Sequence, residues 1–151
     1  MHAAVTLHID APPEKVWDLV ADITKMGEYS PEVFEAEWLG GATGPALGAH
    51  YRGHVKRNER GPVYWTECKV TECTPGEVFE FAVVMRDRPV NTWRYEMTPA
   101  GSGTDVTESF RLTDNLLTKL WRPLGGFLRE NRNKRDMLRT LERIKAVAEA
   151  G

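Results

Sequence analysis

One carboxylate in the chain stands where a buried residue is expected. Residues 104–110 read TDVTESF, and because side chains alternate along a strand, Val106, Glu108 and Phe110 share one face. A carboxyl group in an apolar interior has a raised pKa, so Glu108 is a candidate acid, base or hydrogen-bonding group of a pocket. The alternatives are a partly exposed carboxylate near the strand end and a structural pair with a neighbouring Tyr or Arg. No second catalytic group stands at a known spacing, so no catalytic set is predicted.

Two further patterns that could bind a metal or a nucleotide are typical of strands and turns. His50 and His54 would pair on a helix, but Gly48 and Gly53 indicate a strand, in which four residues span roughly 13 Å. That distance is too long for two ligands of one ion. The glycine-rich segment 40–44, GGATG, follows no parallel strand and lacks the phosphate-binding spacings. We therefore predict no metal site and no cofactor.

Length and composition indicate a single folded domain over residues 1–151. The apolar content is 41%, with five tryptophans, and a chain of this length can hold a core without metals or disulfides. Cys68 and Cys73 lie on opposite faces of one predicted strand, so we expect two reduced thiols. The net charge of −2 gives no indication of nucleic-acid binding. No apolar run approaches the length of about 18 residues that spans a membrane, and no leader pattern opens the chain, so we expect a cytoplasmic protein without membrane insertion.

Hydrophobic periodicity predicts a strand and two short helices in the first thirty residues. Residues 3–9 alternate as a strand, and apolar positions at i, i+3, i+4 and i+7 from Val16 predict an amphipathic helix, with Asp10 as its cap. Gly27 and Pro31 end this region, around one further helical turn. Six more strands follow, separated by short segments rich in Gly or Pro, which are typical of hairpins and predict an antiparallel sheet.

The last 35 residues change character. Residues 129–150 carry a helical pattern whose apolar stripe is Met137, Leu141, Ile144 and Ala148. We expect breaks before this helix, at Pro123, Gly125 and Gly126. Its opposite face carries four arginines, which is typical of a solvated helix face and, alternatively, of a patch for an acidic partner: Arg132, Arg135, Arg139 and Arg143.

Strand parity predicts which side chains face the interior of the sheet. That set is rich in aromatic rings, three of them with hydroxyl groups, which suits a site that orients an apolar ligand. The alternative is that the rings fill a packed core. The predicted lining consists of Tyr51, Tyr64, Phe79, Phe81, Trp93, Tyr95, Glu108 and Phe110.

The order of these elements resembles the START-like helix-grip superfamily (SRPBCC), which includes the polyketide cyclase/dehydrase and lipid transport group. Four segments carry the resemblance: IDAPPEKVWDLVADITKMGEYSP at 9–31, GEVFEF at 76–81, TWRYEMTPAGSGTDVTES at 92–109 and LERIKAVAE at 141–149. The resemblance covers essentially the whole chain. It implies an α+β helix-grip fold, in which a seven-stranded curved antiparallel sheet surrounds a long C-terminal helix. No catalytic residue is shared across that superfamily, so none is carried over.

The resemblance also implies a cavity between the sheet and the long helix, with Trp121, Phe127 and Tyr29 at its mouth and the first two among the ligand-binding residues. We therefore expect a monomer or homodimer that binds a hydrophobic small molecule, lipid-like or polyketide-like, as a carrier or sensor. One alternative is a cyclase/dehydratase-type enzyme that uses Glu108 and a tyrosine. Another is an interaction module, such as half of a toxin–antitoxin pair, with a filled interior and a functional arginine face.

Overall fold

The computed structural model describes residues 2–56, 61–113 and 116–150, and of residues 116–132 only the backbone. In chain order, a strand, an α-helix and a 3-10 helix precede six strands and a long helix. Their bounds are β1 His2–Ile9, α1 Pro13–Ala21, the 3-10 helix Ile23–Glu28, β2 Val33–Trp38, β3 His50–Lys56, β4 Val63–Thr74, β5 Val78–Met85, β6 Arg88–Ala100, β7 Gly103–Leu112 and α2 Leu116–Glu149.

The seven strands form one antiparallel sheet in the order β1-β7-β6-β5-β4-β3-β2. Consecutive strands from β2 to β7 are neighbours, as the short hairpin connections predict. Strand β1 pairs with β7 and forms the edge of the sheet opposite β2. The sheet is curved and packs against α2, so the predicted α+β helix-grip fold is confirmed. Among the helices of the described residues, none is both long enough and apolar enough to cross a bilayer.

Helix α1 begins as the prolines predict, but without the expected cap. Its N-cap is Pro12, which makes no side-chain hydrogen bond, and Pro13 occupies the first turn. Because a proline at that position has no N–H to satisfy, the helix has less need of a side-chain cap. The carboxylate of Asp10 instead contacts His8 Nε2 at 3.1 Å. The backbone N–H of Asp10 donates to Glu149 Oε2 at 3.2 Å. The prediction that Asp10 caps α1 is therefore wrong.

The 3-10 helix lies tightly against the edge strand β2. Asp22 accepts hydrogen bonds from the backbone and the hydroxyl of Thr24 at its start. A Cβ atom at Gly27 would come within 2.3 Å of the Phe34 carbonyl oxygen, so only glycine permits this approach. The predicted further helical turn is present, and it brings Tyr29 in beneath the sheet.

Helix α2 is longer than the sequence pattern predicts. It runs from Leu116 to Glu149 without interruption, so the expected breaks at Pro123, Gly125 and Gly126 are wrong. Local helix propensity is a weak prior that tertiary context overrides. The predicted apolar stripe is confirmed, since all four of its side chains are buried: Met137, Leu141, Ile144 and Ala148. On the other face Arg135 is exposed and Arg139 and Arg143 are half-buried, while the Arg132 side chain lies outside the described residues.

The core lies between the concave face of the sheet, α1, the 3-10 helix and the C-terminal part of α2. Its main cluster joins Leu141 and Ile144 of α2 to α1 residues and to the inward-facing aromatics. A second, smaller cluster contains Ala3, Phe110 and Met137, and the partly buried Trp93 packs against both clusters. The predicted inward face of the sheet is therefore the packed face.

Candidate ligand-binding site

The strand register places four inward side chains in one row across the sheet. Glu108 on β7 lies opposite Tyr95 on β6, Tyr95 lies opposite Phe79 on β5, and Phe79 lies opposite Cys73 on β4. On its other side Glu108 faces Val5 of β1. Side chains directly opposite each other on neighbouring strands are in contact distance, so the carboxylate sits within a row of apolar and aromatic groups.

Glu108 is buried, with 2% of its surface exposed, and a hydrogen bond is found at only one of its two carboxyl oxygens among the described residues. The Tyr95 hydroxyl donates to Oε1 at 3.0 Å. The second oxygen, Oε2, has no hydrogen-bond partner among the residues that the structure describes. Burial raises the pKa of Glu108 to about 8, against a smaller lowering by the Tyr95 hydrogen bond. Of the alternatives for this residue, partial exposure is wrong and a pair with a neighbouring Tyr is what the structure shows.

A raised pKa changes what this carboxyl group can do. Near neutral pH Glu108 is predominantly the neutral acid, whose Oε1 accepts from Tyr95 and whose Oε2 carries a proton with no acceptor. A buried polar group without a partner is costly, and such groups are rare in native proteins. The geometry therefore provides one hydrogen-bond donor directed into an apolar interior.

Two further phenols lie in the same interior. Tyr51 is 1% exposed, and its hydroxyl lies beside the thiol of Cys68. Burial raises its pKa well above the usual value, and the nearby Cys68 thiol adds to the shift. Tyr29 is also 1% exposed, and its hydroxyl donates to the Val20 carbonyl oxygen at 3.5 Å. Burial raises the pKa of Tyr29, and the charge of Glu108 raises it further, so these groups interact electrostatically.

The position of Tyr29 corrects the expectation that it gates the mouth of a cavity. Its ring lies inside the main core rather than at an exposed rim. Tyr29 directly follows the 3-10 helix, and its backbone N–H donates to the Met26 carbonyl oxygen at 3.2 Å. No periodic pattern in the sequence reports this direction, since the segment is too short to show one.

A chain of aromatic rings lines the concave face beside these phenols. The ring of Tyr51 lies edge-on to Trp38 at 5.8 Å and edge-on to Phe81 at 5.5 Å between centroids, and Phe81 lies 6.0 Å from Phe79. Strand parity predicts three of these rings, but it does not predict Trp38. The available signal was cross-strand pairing, because Trp38 is the register partner of Tyr51.

The remaining predicted lining residues fall into three groups. Trp93 and Phe110 are neighbours at 4.7 Å between centroids, on the side of the interior that contacts Met137. Tyr64 has the predicted parity but is 38% exposed at the start of β4, where Val63 and Trp65 are exposed as well, so it lies outside the buried interior. The side chains of Trp121 and Phe127 lie outside the described residues.

A cavity of about 390 Å³ lies elsewhere in the molecule. It is a cleft between the 3-10 helix, β2 and the β3 and β4 ends, lined by Gly27, Ser30, Pro31, Glu32, Val33, Phe34, Lys56 and Val63. None of the predicted ligand-binding residues lines it. The cleft carries no unpartnered buried polar group among the residues described, in contrast to the interior around Glu108.

The histidines and cysteines lie apart from one another. His50 and His54 stand on strand β3 as predicted, and His54 contacts Glu35 Oε1 at 2.7 Å while its ring stacks on Trp65. Ligand atoms of His50, Glu67 and Asp87 come within 4.8 Å of one another on the outer face, in a largely exposed group. Cys68 and Cys73 are free thiols, which confirms that expectation. Burial raises the pKa of Cys68 to about 12, so it is unreactive at neutral pH.

Comparison with known proteins places this fold and interior in one family. The family of polyketide cyclase/dehydrase and lipid transport proteins matches residues 1–149, so the chain belongs to that family. A polyketide-cyclase-like protein from Corynebacterium glutamicum is 29% identical, over 98% of this chain and 91% of that one, with a TM-score of 0.60. No functionally curated protein matches this chain.

Two more distant structures show the same fold. A protein from Chromobacterium violaceum shares 16% identity, over 99% of this chain and 98% of that one, with a TM-score of 0.71. The di-domain ARO/CYC protein BexL, of the BE-7585A biosynthetic pathway, shares 22% identity and a TM-score of 0.73. All of this chain is covered in that comparison, against 50% of BexL, so the chain corresponds to one half of the di-domain protein.

Proposed function

We propose that this protein binds a hydrophobic small molecule between the concave face of the sheet and the C-terminal helix. The observation that carries the proposal is the carboxyl group of Glu108, which is buried with one oxygen hydrogen-bonded by Tyr95 and the other without a partner. The buried hydroxyl of Tyr51 adds a second polar group to the same interior. A packed structural core satisfies its polar groups, whereas a binding site keeps a few free to orient a ligand.

The apolar surroundings of these groups define the type of ligand. Three rings from two strands, Tyr51 on β3 with Phe79 and Phe81 on β5, lie edge-on or tilted to one another and offer apolar surface for a flat or elongated molecule. Burial of ligand surface supplies about 25 cal/mol per Å², and the few polar groups set orientation. The family description, which includes lipid transport, agrees with a carrier or sensor role.

Native mass spectrometry of the purified protein tests this function, followed by denaturing extraction of any bound molecule. We expect a discrete small molecule, or uptake of one from a mixture of lipids and aromatic compounds. Phe81→Ser, which places a polar side chain among the rings, should reduce uptake, whereas Phe34→Ser on the exposed edge strand should not. A protein that stays free of ligand under all these conditions contradicts the proposal.

A second candidate function is acid–base catalysis of the cyclase/dehydratase type, favoured by the burial of Glu108 in a hydrogen bond with Tyr95. The pKa of Glu108, about 8, lies near the pH at which an enzyme operates, where a general acid or base is most effective. Tyr95, hydrogen-bonded at 3.0 Å, would orient the carboxyl group. Incubation with a poly-β-carbonyl probe tests it, since Glu108→Gln should abolish turnover while ligand uptake remains. If the unaltered protein takes up the probe without turning it over, the result contradicts catalysis and supports only the binding function.

A further inference from the structure

Glu108 offers a hydrogen-bond donor to this interior, and no positively charged side chain is buried with it among the residues that the structure describes. No Lys, Arg or His side chain is buried in the described parts of the chain, where the buried side chains with polar groups include Glu108, two threonines and three tyrosines. Among the described side chains, the carboxyl group therefore has no cation as a partner. Its free oxygen is available to a ligand, and none of these described side chains would neutralise a ligand that carries a negative charge.

We propose that the interior selects uncharged ligands whose polar group is a hydrogen-bond acceptor, such as a ketone or quinone carbonyl, over ligands that carry a carboxylate. Glu108 is the specificity-determining residue, because the proton on its Oε2 binds the acceptor. This inference rests on the proposed function and adds the chemical class of the ligand. It separates ring or chain ketones from free fatty acids, both of which are hydrophobic.

The hydrogen-bond geometry assigns the two carboxyl oxygens different roles. Since the Tyr95 hydroxyl donates to Oε1, that oxygen is the acceptor of the acid, and the proton belongs on Oε2, which has no partner among the residues described. The titratable groups that face Glu108 are the phenols of Tyr95 from β6 and Tyr29 beside the 3-10 helix, both neutral. Val5 faces it from β1, and α2 brings apolar Leu141 and Ile144 to the same core.

The balance of charge gives the direction of selectivity. A carboxylate ligand would lose the hydration of its charge, with no buried cation among the described side chains to offset that cost, which is strongly unfavourable. A neutral carbonyl instead supplies the acceptor that Oε2 lacks. Burial raises the pKa of Glu108 to about 8, so the donor is present at neutral pH and is lost in alkaline solution.

A matched set of tricyclic probes tests the inference: 9-fluorenone, fluorene, fluorene-9-carboxylic acid and 9-aminofluorene. They share one ring system and differ in a single polar group. Dissociation constants are measured by quenching of tryptophan fluorescence and by calorimetry at pH 6.5 and pH 9. We expect 9-fluorenone to bind tightest, at least tenfold more tightly than the carboxylate. Its affinity should fall about tenfold between the two pH values, in proportion to the neutral fraction of Glu108.

Two variants separate the effect of Glu108 ionisation on ligand affinity from the effect of losing any carboxylate. Glu108→Gln keeps a donor that cannot ionise, so its affinity for 9-fluorenone should be the same at pH 6.5 and pH 9. Glu67→Gln, which removes a carboxylate from the outer side of β4, should keep the pH dependence of the unaltered protein. The probe series and pH profile of the unaltered protein stand by themselves if Glu108→Gln does not fold.

The outcomes distinguish this inference from the proposed function. Equal affinities for ketone and carboxylate, or a pH dependence that persists in Glu108→Gln, overturn the inference while the binding site stands. Preference for 9-aminofluorene overturns it in favour of a cationic ligand paired with ionised Glu108. If no probe binds, fluorene included, and no molecule is taken up from lipid and aromatic mixtures, both the inference and the proposed function fail.

Discussion

The hydroxyl of Tyr95 donates a 3.0 Å hydrogen bond to Oε1 of Glu108, its direct partner on the neighbouring strand, in the buried interior of the sheet. The pair is neutral near pH 7, because burial raises the pKa of Glu108 to about 8 and that of Tyr95 well above its usual value. This relationship connects the stability of the protein to pH and also defines the donor of the proposed site.

Glu108→Gln should make the protein more stable in alkaline solution. Below pH 4.5 the carboxyl group is protonated whether the chain is folded or unfolded; between pH 4.5 and about 8 only the unfolded chain ionises. Unfolding then releases a proton, so rising pH lowers the free energy of unfolding by up to about 1.4 kcal/mol per pH unit. Above pH 8 both states are ionised and the penalty is constant. Urea unfolding at pH 5, 6.5 and 8.5 should show an advantage for Gln that grows across this range.

A variant whose advantage over the unaltered protein is the same at all three pH values would contradict that expectation. Glu67→Gln, on the outer side of β4, reports what the loss of a solvent-facing carboxylate does under the same conditions.

Tyr95→Phe should raise the pKa of Glu108 further. The Tyr95 hydrogen bond lowers that pKa, and its loss leaves Oε1 without its donor. A carboxyl titration followed by carbon NMR checks the shift, which should be upward from about 8. Loss of the bond at a buried acceptor should also cost roughly 1–3 kcal/mol of unfolding free energy. Tyr64→Phe, an exposed phenol on the same face, is the matched control and should change neither quantity. A downward or absent shift in Tyr95→Phe would show that the phenol does not stabilise the carboxylate.

Leu141→Ala should destabilise the protein strongly, because its side chain is completely buried in the main core. Large-to-small substitutions of this type cost about 2–5 kcal/mol, from lost transfer free energy and the cavity that remains. Leu138→Ala lies on the same helix with its side chain 40% exposed and should cost much less. Denaturant titrations of the two variants check the difference. Equal losses of unfolding free energy in the two variants would mean that the side of α2 that carries Leu141 does not face the sheet.

Gly27→Ala should disturb the contact between the 3-10 helix and β2. An added Cβ would meet the Phe34 carbonyl oxygen at 2.3 Å, and a backbone atom cannot move aside without shifting the edge strand. Gly44→Ala, where nothing lies within 4 Å, is the control and should be close to neutral. We expect a clear fall in melting temperature for the first variant only. Amide spectra should show the change spreading to Tyr29 and into the interior, and an unchanged melting temperature would contradict the close approach.

Much of the fold was predictable because it depends on local patterns. Alternation along β7 identifies Glu108 as an inward carboxylate, and the spacing of Leu141 and Ile144 identifies the buried face of α2. Both patterns are physical necessities of a strand or helix with one packed side. They can therefore be recognised in the sequence without knowing which elements pack against that side. The order of the elements was sufficient to predict an antiparallel sheet packed on a long helix.

The sequence-based predictions were wrong where the structure of a segment depends on contacts with distant parts of the chain. The continuity of α2 across Pro123 contradicts local helix propensity, and the exposure of Tyr64 depends on what covers the start of β4. The burial of Tyr29 depends on the main core, in which the 3-10 helix meets distant strands and α2, and the segment is too short for a periodic pattern to predict it.

The sequence by itself determined which residues alternate, and hence that one carboxylate faces an apolar interior, because side-chain direction follows from backbone geometry alone. Only the tertiary structure decided that carboxylate's chemistry. Its burial, its hydrogen bond from Tyr95 and its free second oxygen depend on strands that the register brings side by side. The pKa of a group is set by all its surroundings, so the neutral donor at Glu108 became visible only when those surroundings were in place.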